Sequence, residues 1–166
     1  GITTVKDDND KKSFIEDTLR AGAFENNIDA VTLVSENAQE AINKLIELGV
    51  PFNKDENGNL KYTKEAAHSI NRILYSDDSS GKAIWETLRD EAFKRDNIEI
   101  LTETTLVDII VKDNQVFGGV ALKDSSKINI YAKSTILASG GIGGVFRNST
   151  NFENIQGIGI SLALLV

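Results

Sequence analysis

Between Glu65 and Tyr75 the chain sets a carboxylate (Glu65), an imidazole (His68), a hydroxyl (Ser69), a guanidinium (Arg72) and a phenol (Tyr75). His68 is the only histidine. A guanidinium grips a carboxylate with two parallel hydrogen bonds, a carboxylate pairs with an ammonium, and an imidazole donates a hydrogen bond or carries a proton near neutral pH. Such a set suits the binding and turnover of a small polar substrate. On a helix, Glu65, Ser69 and Arg72 would share one side, with His68 adjacent. The same residues also admit a plainer account, with His68 a hydrogen-bonded loop residue and Glu65 with Arg72 a surface pair worth under about 1 kcal/mol. The residues alone leave both readings open.

A second group follows the apolar run Ser134 to Ala138, where Ser139-Gly140-Gly141-Ile142-Gly143-Gly144 closes the segment. Glycines after a buried strand let backbone approach a ligand, and ligands of open α/β sheets sit at the carboxyl ends of strands. A cofactor beside Gly140 and a tight turn are equally good explanations. The dinucleotide fingerprint Gly-x-Gly-x-x-Gly is not here: Gly141 and Gly143 are followed by Phe146, and Gly157 and Gly159 by Leu162.

The elements that must position these groups begin with an acidic, solvated loop over Gly1 to Asp10. A helix then runs to about Ala21, capped by Asp10 or Ser13 and stopped by Gly22. Val31, Val34, Ala38, Ala41, Leu45 and Leu48 predict an amphipathic helix that Gly49-Val50-Pro51 terminates. Asn57-Gly58 marks a turn. Gly81 to Arg95 reads as another helix, capped from Asp77 to Ser80, with Ile84, Leu88, Ala92 and Trp85 inward. The period then changes to 2, predicting strands at Ile98 to Leu101, Thr105 to Val111, Gln115 to Leu122 and Lys127 to Tyr131. Turns fall at Asp113-Asn114 and Asp124 to Ser126. Ser134 to Ala138 reads as a strand buried in a parallel sheet. The fold class expected is α/β, with helices first, then an antiparallel meander and one buried strand of a parallel sheet.

With 166 residues, 40% hydrophobic and 26% charged, the chain has the makings of one globular domain. A net charge of −7 with scattered lysines argues against nucleic-acid binding. The absence of cysteine removes disulfides and thiolate metal sites, and a single histidine removes multi-histidine metal sites. No apolar run approaches the roughly 20 residues needed to span a bilayer. A cytoplasmic protein without nucleic-acid or membrane partners is expected. The chain lacks methionine and closes on Ser-Leu-Ala-Leu-Leu-Val, so a piece of a larger protein is also expected.

Several segments, in order, resemble the L-aspartate oxidase family of the succinate dehydrogenase and fumarate reductase flavoprotein superfamily. They are Ser13 to Gly22, Ala41 to Phe52, Glu65-Ala-Ala-His-Ser69 with Arg72-Ile-Leu74, Ser80 to Ile84, Ile136 to Val145, and Thr150-Asn151. The resemblance implies an FAD enzyme that oxidises L-aspartate to iminoaspartate in quinolinate and NAD synthesis, passing electrons to oxygen or fumarate. It implies catalytic roles for Glu65, near the substrate ammonium, and for His68 and Ser69, at the flavin and the substrate carboxylate. It implies FAD contacts at Gly1, Ser80, Gly81, Ala138, Ser139, Gly140 and Gly141, and no metal. Ala66 and Ala67 stand where the family has a glycine pair, and Ile158 where it has aspartate.

The resemblance further implies that residues 1 to 166 are a single partial FAD-binding domain, without the family's amino-terminal glycine-rich β-α-β unit and its capping domain. The chain alone is then expected to be colourless and inactive. The rival readings are a piece of a fumarate reductase or succinate dehydrogenase flavoprotein, and a non-catalytic remnant that binds a partner.

Overall fold

The computed structural model describes all 166 residues, which form two compact units, Gly1–Glu99 and Ile100–Val166. Its mixture of helices and antiparallel sheets agrees with the α/β class expected from the sequence. No helix is long and apolar enough to cross a membrane.

The first unit contains β1 (Ile2–Thr3), α1 (Asp8–Ala21), α2 (Ile28–Glu47), β2 (Tyr62–Thr63), β3 (Ile73–Leu74) and α3 (Ser80–Phe93). Its sheet has the order β1-β3-β2 with both pairings antiparallel. The core is Ile42, Val50, Phe52 and Leu74, against which Ile2, Leu45, Leu60, Tyr62 and Ile84 pack. Burying each large apolar side chain contributes about 1.5–3 kcal/mol. β3 therefore runs through the centre of the unit, and the segment preceding it is held close to α1.

The amino-terminal helix starts earlier than the sequence suggests. Asp7, in extended conformation, caps α1 by accepting from the backbone N–H groups of Asn9 and Asp10. Asp10 is buried inside the first turn rather than solvated or capping. On α2, Val31, Ser35 and Ile42 are buried, whereas Val34 is 57% exposed. The apolar stripe and the buried face share Val31 and Leu45 but differ by a rotation that puts Ser35 inward. A 3.6-residue period fixes a helix face only to within about one position. Gly49 follows α2 with φ +91, a conformation that favours glycine, and lets the chain turn back into Val50 and Phe52.

On α3, Ile84 packs against the core while Trp85 is 58% exposed and Leu88 is also exposed. Ile98 to Leu101 form no strand: they run on without regular structure after the turn at Asp96 and Asn97, where Ile98 N–H bonds to Arg95 C=O.

The second unit contains β4 (Thr105–Lys112), β5 (Gln115–Lys123) and β6 (Ser126–Tyr131), antiparallel in that order, and α4 (Ile158–Leu164), which packs on β4. Asp113-Asn114 and Asp124-Ser125 all have positive φ, the mirror-image turn whose twist matches flanking strands. Gly118 has φ +138, and a Cβ there would run into the Ile130 carbonyl oxygen. Ser134 to Ala138 is not a strand, and Ile136 is 91% exposed. A parallel strand needs a neighbour to pair with and cover on both faces. Within this unit the run has neither.

Candidate functional site

In the first unit a groove of about 910 Å³ brings together Gly1, Thr63, Glu65, Tyr75 and the turn from Asp77 to Lys82. β2 delivers Thr63 and Glu65 to one side. The other side is the entry to α3, and it is firmly built. The Ser76 N–H donates to Ser80 Oγ at 3.0 Å, and Asn53 accepts from the Asp77 N–H at 2.9 Å and donates to its carboxylate at 3.0 Å. Asp77 is thus used by Asn53 and does not cap the helix. The cap is Ser79, whose side chain makes no capping bond.

The first turn of α3 lines the groove and its N–H groups receive no side-chain oxygen from the cap, which suits an anionic or electron-rich ligand edge. A Cβ added at Gly81 would meet nothing within 4 Å, so the backbone is open to close approach. Glu65 Oε1 lies 3.3 Å from the Gly1 nitrogen, and its side chain is exposed. Of the expected residues, Gly1, Glu65, Ser80 and Gly81 meet in this groove.

His68 and Ser69 do not line it. They are drawn to α1 by Arg72, which is fully buried. Arg72 Nε donates to Asp10 Oδ1 at 2.8 Å, Nη1 to Asp17 Oδ2 at 2.7 Å, and Nη2 to Ser13 Oγ at 2.7 Å. Nη1 also lies 3.2 Å from His68 Nδ1. The Ser69 N–H and hydroxyl both donate to Asp17 Oδ2, at 2.7 and 2.8 Å. The His68 ring stacks on Phe14, with centroids 6.4 Å apart. Arg72 and Asp10 are therefore not a surface ion pair, and Glu65 is not the partner of Arg72.

Burial alone would raise the Asp17 carboxyl. The Ser69 N–H, the Arg72 guanidinium and the Ser69 hydroxyl outweigh it and hold the group at about 2, below its ordinary 3.8. Asp10, Ser13 and Asp17 escaped the sequence reading. They share the α1 face that also carries Phe14, but polar residues at that spacing look the same on a face turned to water.

In the second unit Ala138, Ser139 and Gly140 line a crevice of about 350 Å³ with Leu137, Gly159 and Ile160. Gly140 has φ +76, and a Cβ at Gly159 would strike Ser139 Oγ. Gly141 lies beside the crevice and accepts the Gly157 N–H at 2.9 Å, while a Cβ added to it would meet nothing within 4 Å. The segment thus makes a tight turn at Gly140 and leaves the Gly141 backbone open.

Residues 2–166 match the family described as FAD binding domain. The L-aspartate oxidase of Clostridium acetobutylicum is 45% identical over 99% of this chain and 38% of that protein. The L-aspartate oxidase of Clostridium perfringens is 48% identical over 99% of this chain and 37% of that protein. The chain thus spans less than two fifths of the length of these curated relatives. Among solved structures, the E. coli quinol fumarate reductase matches with a TM-score of 0.91 and 26% identity, covering 99% of this chain and 29% of that one. A flavocytochrome c3 fumarate reductase in its open conformation matches with a TM-score of 0.82 and 25% identity, covering 99% of this chain and 32% of that one.

Proposed function

The chain belongs to the FAD-binding-domain family, and from that premise we propose that it forms one wall of the flavin and substrate site of an L-aspartate oxidase. The observation that carries this reading is the position of Glu65, a carboxylate on the same groove as the open entry to α3 at Ser80-Gly81. A substrate bearing an ammonium group needs such a carboxylate, and a dicarboxylate such as fumarate or succinate does not.

In this reading Ser80 and Gly81, with Gly1, would hold the flavin in the first unit; in the second unit, taken by itself, Ala138, Ser139, Gly140 and Gly141 offer accessible backbone of the kind a cofactor approaches. Bound FAD supplies the two-electron acceptor. Glu65 pairs with the aspartate ammonium and fixes the amino end, so that the Cα–H bond points in one direction. The resemblance gives His68 a hydrogen bond to a substrate carboxylate, although His68 is not among the residues that line the groove. As hydride leaves Cα, the nitrogen releases a proton and the C=N bond of iminoaspartate forms. The electrons pass finally to oxygen or fumarate.

The TM-score of 0.91 to a fumarate reductase favours a second reading, in which the groove serves a dicarboxylate. Titrating FAD into the 166-residue chain and into a longer version carrying the flanking coding sequence tests the proposal. Binding by the longer protein alone is expected, because the Gly-x-Gly-x-x-Gly cradle is not among these residues. A longer protein that holds no flavin would overturn it.

A further inference from the structure

The hydrogens in the Arg72 cluster have only one consistent arrangement. Arginine donates and never accepts, so Nη2–H must point to Ser13 Oγ and Nη1–H to Asp17. The Ser69 hydroxyl hydrogen is directed at Asp17 Oδ2. The 2.8 Å contact between Ser13 and Ser69 is then filled by the Ser13 hydrogen, with Ser69 Oγ accepting. Arg72, Ser13, Ser69 and Asp17 close a ring in which every hydrogen is assigned. The Ser69 hydroxyl has no hydrogen left to give a substrate.

His68 is fixed in the same way. A guanidinium 3.2 Å from Nδ1 can only donate, so Nδ1 must present its lone pair and the ring hydrogen sits on Nε2. Phe14 stacks on the ring and limits its rotation, and the His68 N–H bonds back to the Glu65 carbonyl at 3.0 Å. The guanidinium is itself fixed by Asp10 in the first turn of α1, and the Arg72 backbone by Thr4, whose N–H and hydroxyl both donate to the Arg72 carbonyl.

We infer that Arg72 is a positioning residue: it clamps the Glu65 to Ser69 turn onto α1 and selects the Nε2–H tautomer of His68, which makes that histidine a hydrogen-bond donor rather than a proton acceptor. Its use toward a substrate carboxylate rests on the aspartate oxidase reading, whereas the clamp and the tautomer do not. Ser69 moves from substrate contact to part of the clamp.

His68 is the sole histidine, so nitrogen NMR on the histidine-labelled chain reads it without interference. Above the titration range of imidazole, the wild type should show a single tautomer, with the hydrogen on Nε2 and a coupling between Arg72 Nη1 and His68 Nδ1 across the hydrogen bond. In Arg72→Lys a population with the hydrogen on Nδ1 should appear. In Ser13→Ala, which opens the ring without touching the Arg72 to His68 contact, the tautomer should stay as in the wild type. Hydrogen on Nδ1 in the wild type overturns the inference, as does a tautomer mixture that Arg72→Lys leaves unchanged. If Arg72→Lys does not fold, the wild-type spectrum decides. Flavin titration failing in the longer protein would sink the oxidase reading and leave this result intact.

Discussion

Arg72 and Asp17 meet at 2.7 Å between Nη1 and Oδ2, with both side chains almost wholly removed from solvent. Losing one partner of such a pair leaves a charge uncompensated in a dry site and costs about 3–5 kcal/mol. Arg72→Met should therefore destabilise the first unit by that amount, since it orphans Asp10 as well. Urea unfolding followed through Trp85, the only tryptophan, measures it. A loss below about 1 kcal/mol, the range of surface pairs, would show that the cluster is not buried in solution.

The same pair sets an acid limit. The Asp17 carboxyl is held at about 2 in the folded chain and titrates near 3.8 when unfolded. As pH falls through the ordinary value, the unfolded chain takes up the proton first, so stability drops. The contribution is complete above 3.8 and lost as pH approaches about 2. Asp17→Asn should flatten this limb of the stability profile. An unchanged limb in that variant would place the acid sensitivity elsewhere.

The cap of α1 provides a smaller effect. Asp7 accepts from the Asn9 and Asp10 N–H groups at 2.9 and 2.8 Å. Asp7→Ala should cost about 1 kcal/mol. Asp8→Ala, beside it, removes no capping bond and should cost clearly less. Equal losses in urea denaturation would contradict the assignment of Asp7 as cap.

In the second unit, Gly118→Ala should be harmful out of proportion to one methyl. The backbone there has φ +138, and the methyl would meet the Ile130 carbonyl. A cost of at least about 1–3 kcal/mol is expected from the strained backbone alone. Faster amide exchange in β5 and β6, with β2 and β3 unaffected, is the expected signature. Unchanged exchange throughout would show that β5 and β6 separate at this point without cost.

The helices, the three-stranded meander and its two turns were legible in the sequence, because each rests on local chemistry: 3.6-residue spacing, alternation, and Asp-Asn or Asp-Ser at positive φ. Glu65 stood out by residue type and Ser80 and Gly81 by resemblance, and the three line one groove. Two kinds of feature were not legible. Ser134 to Ala138 has the composition of a buried strand, but strandedness depends on partners that local composition does not reveal. The inward turn of Asp10, Ser13 and Asp17 depends on Arg72, which is distant in the chain, and a polar residue on a helix looks alike whether it faces water or a buried cation. That one long-range contact also reassigns Ser69.

On the proposed reading, the Glu65 groove serves an amino acid at a flavin. Mixing the flavin-loaded longer protein anaerobically with L-aspartate or with succinate, and following the flavin absorbance, tests it most directly. L-Aspartate should bleach the flavin, succinate should not, and Glu65→Gln should weaken the response to aspartate by roughly 10-fold or more, the loss of one charge-assisted contact of about 1.5–3 kcal/mol. Bleaching by succinate but not by L-aspartate, or an undiminished aspartate response in Glu65→Gln, would contradict the account.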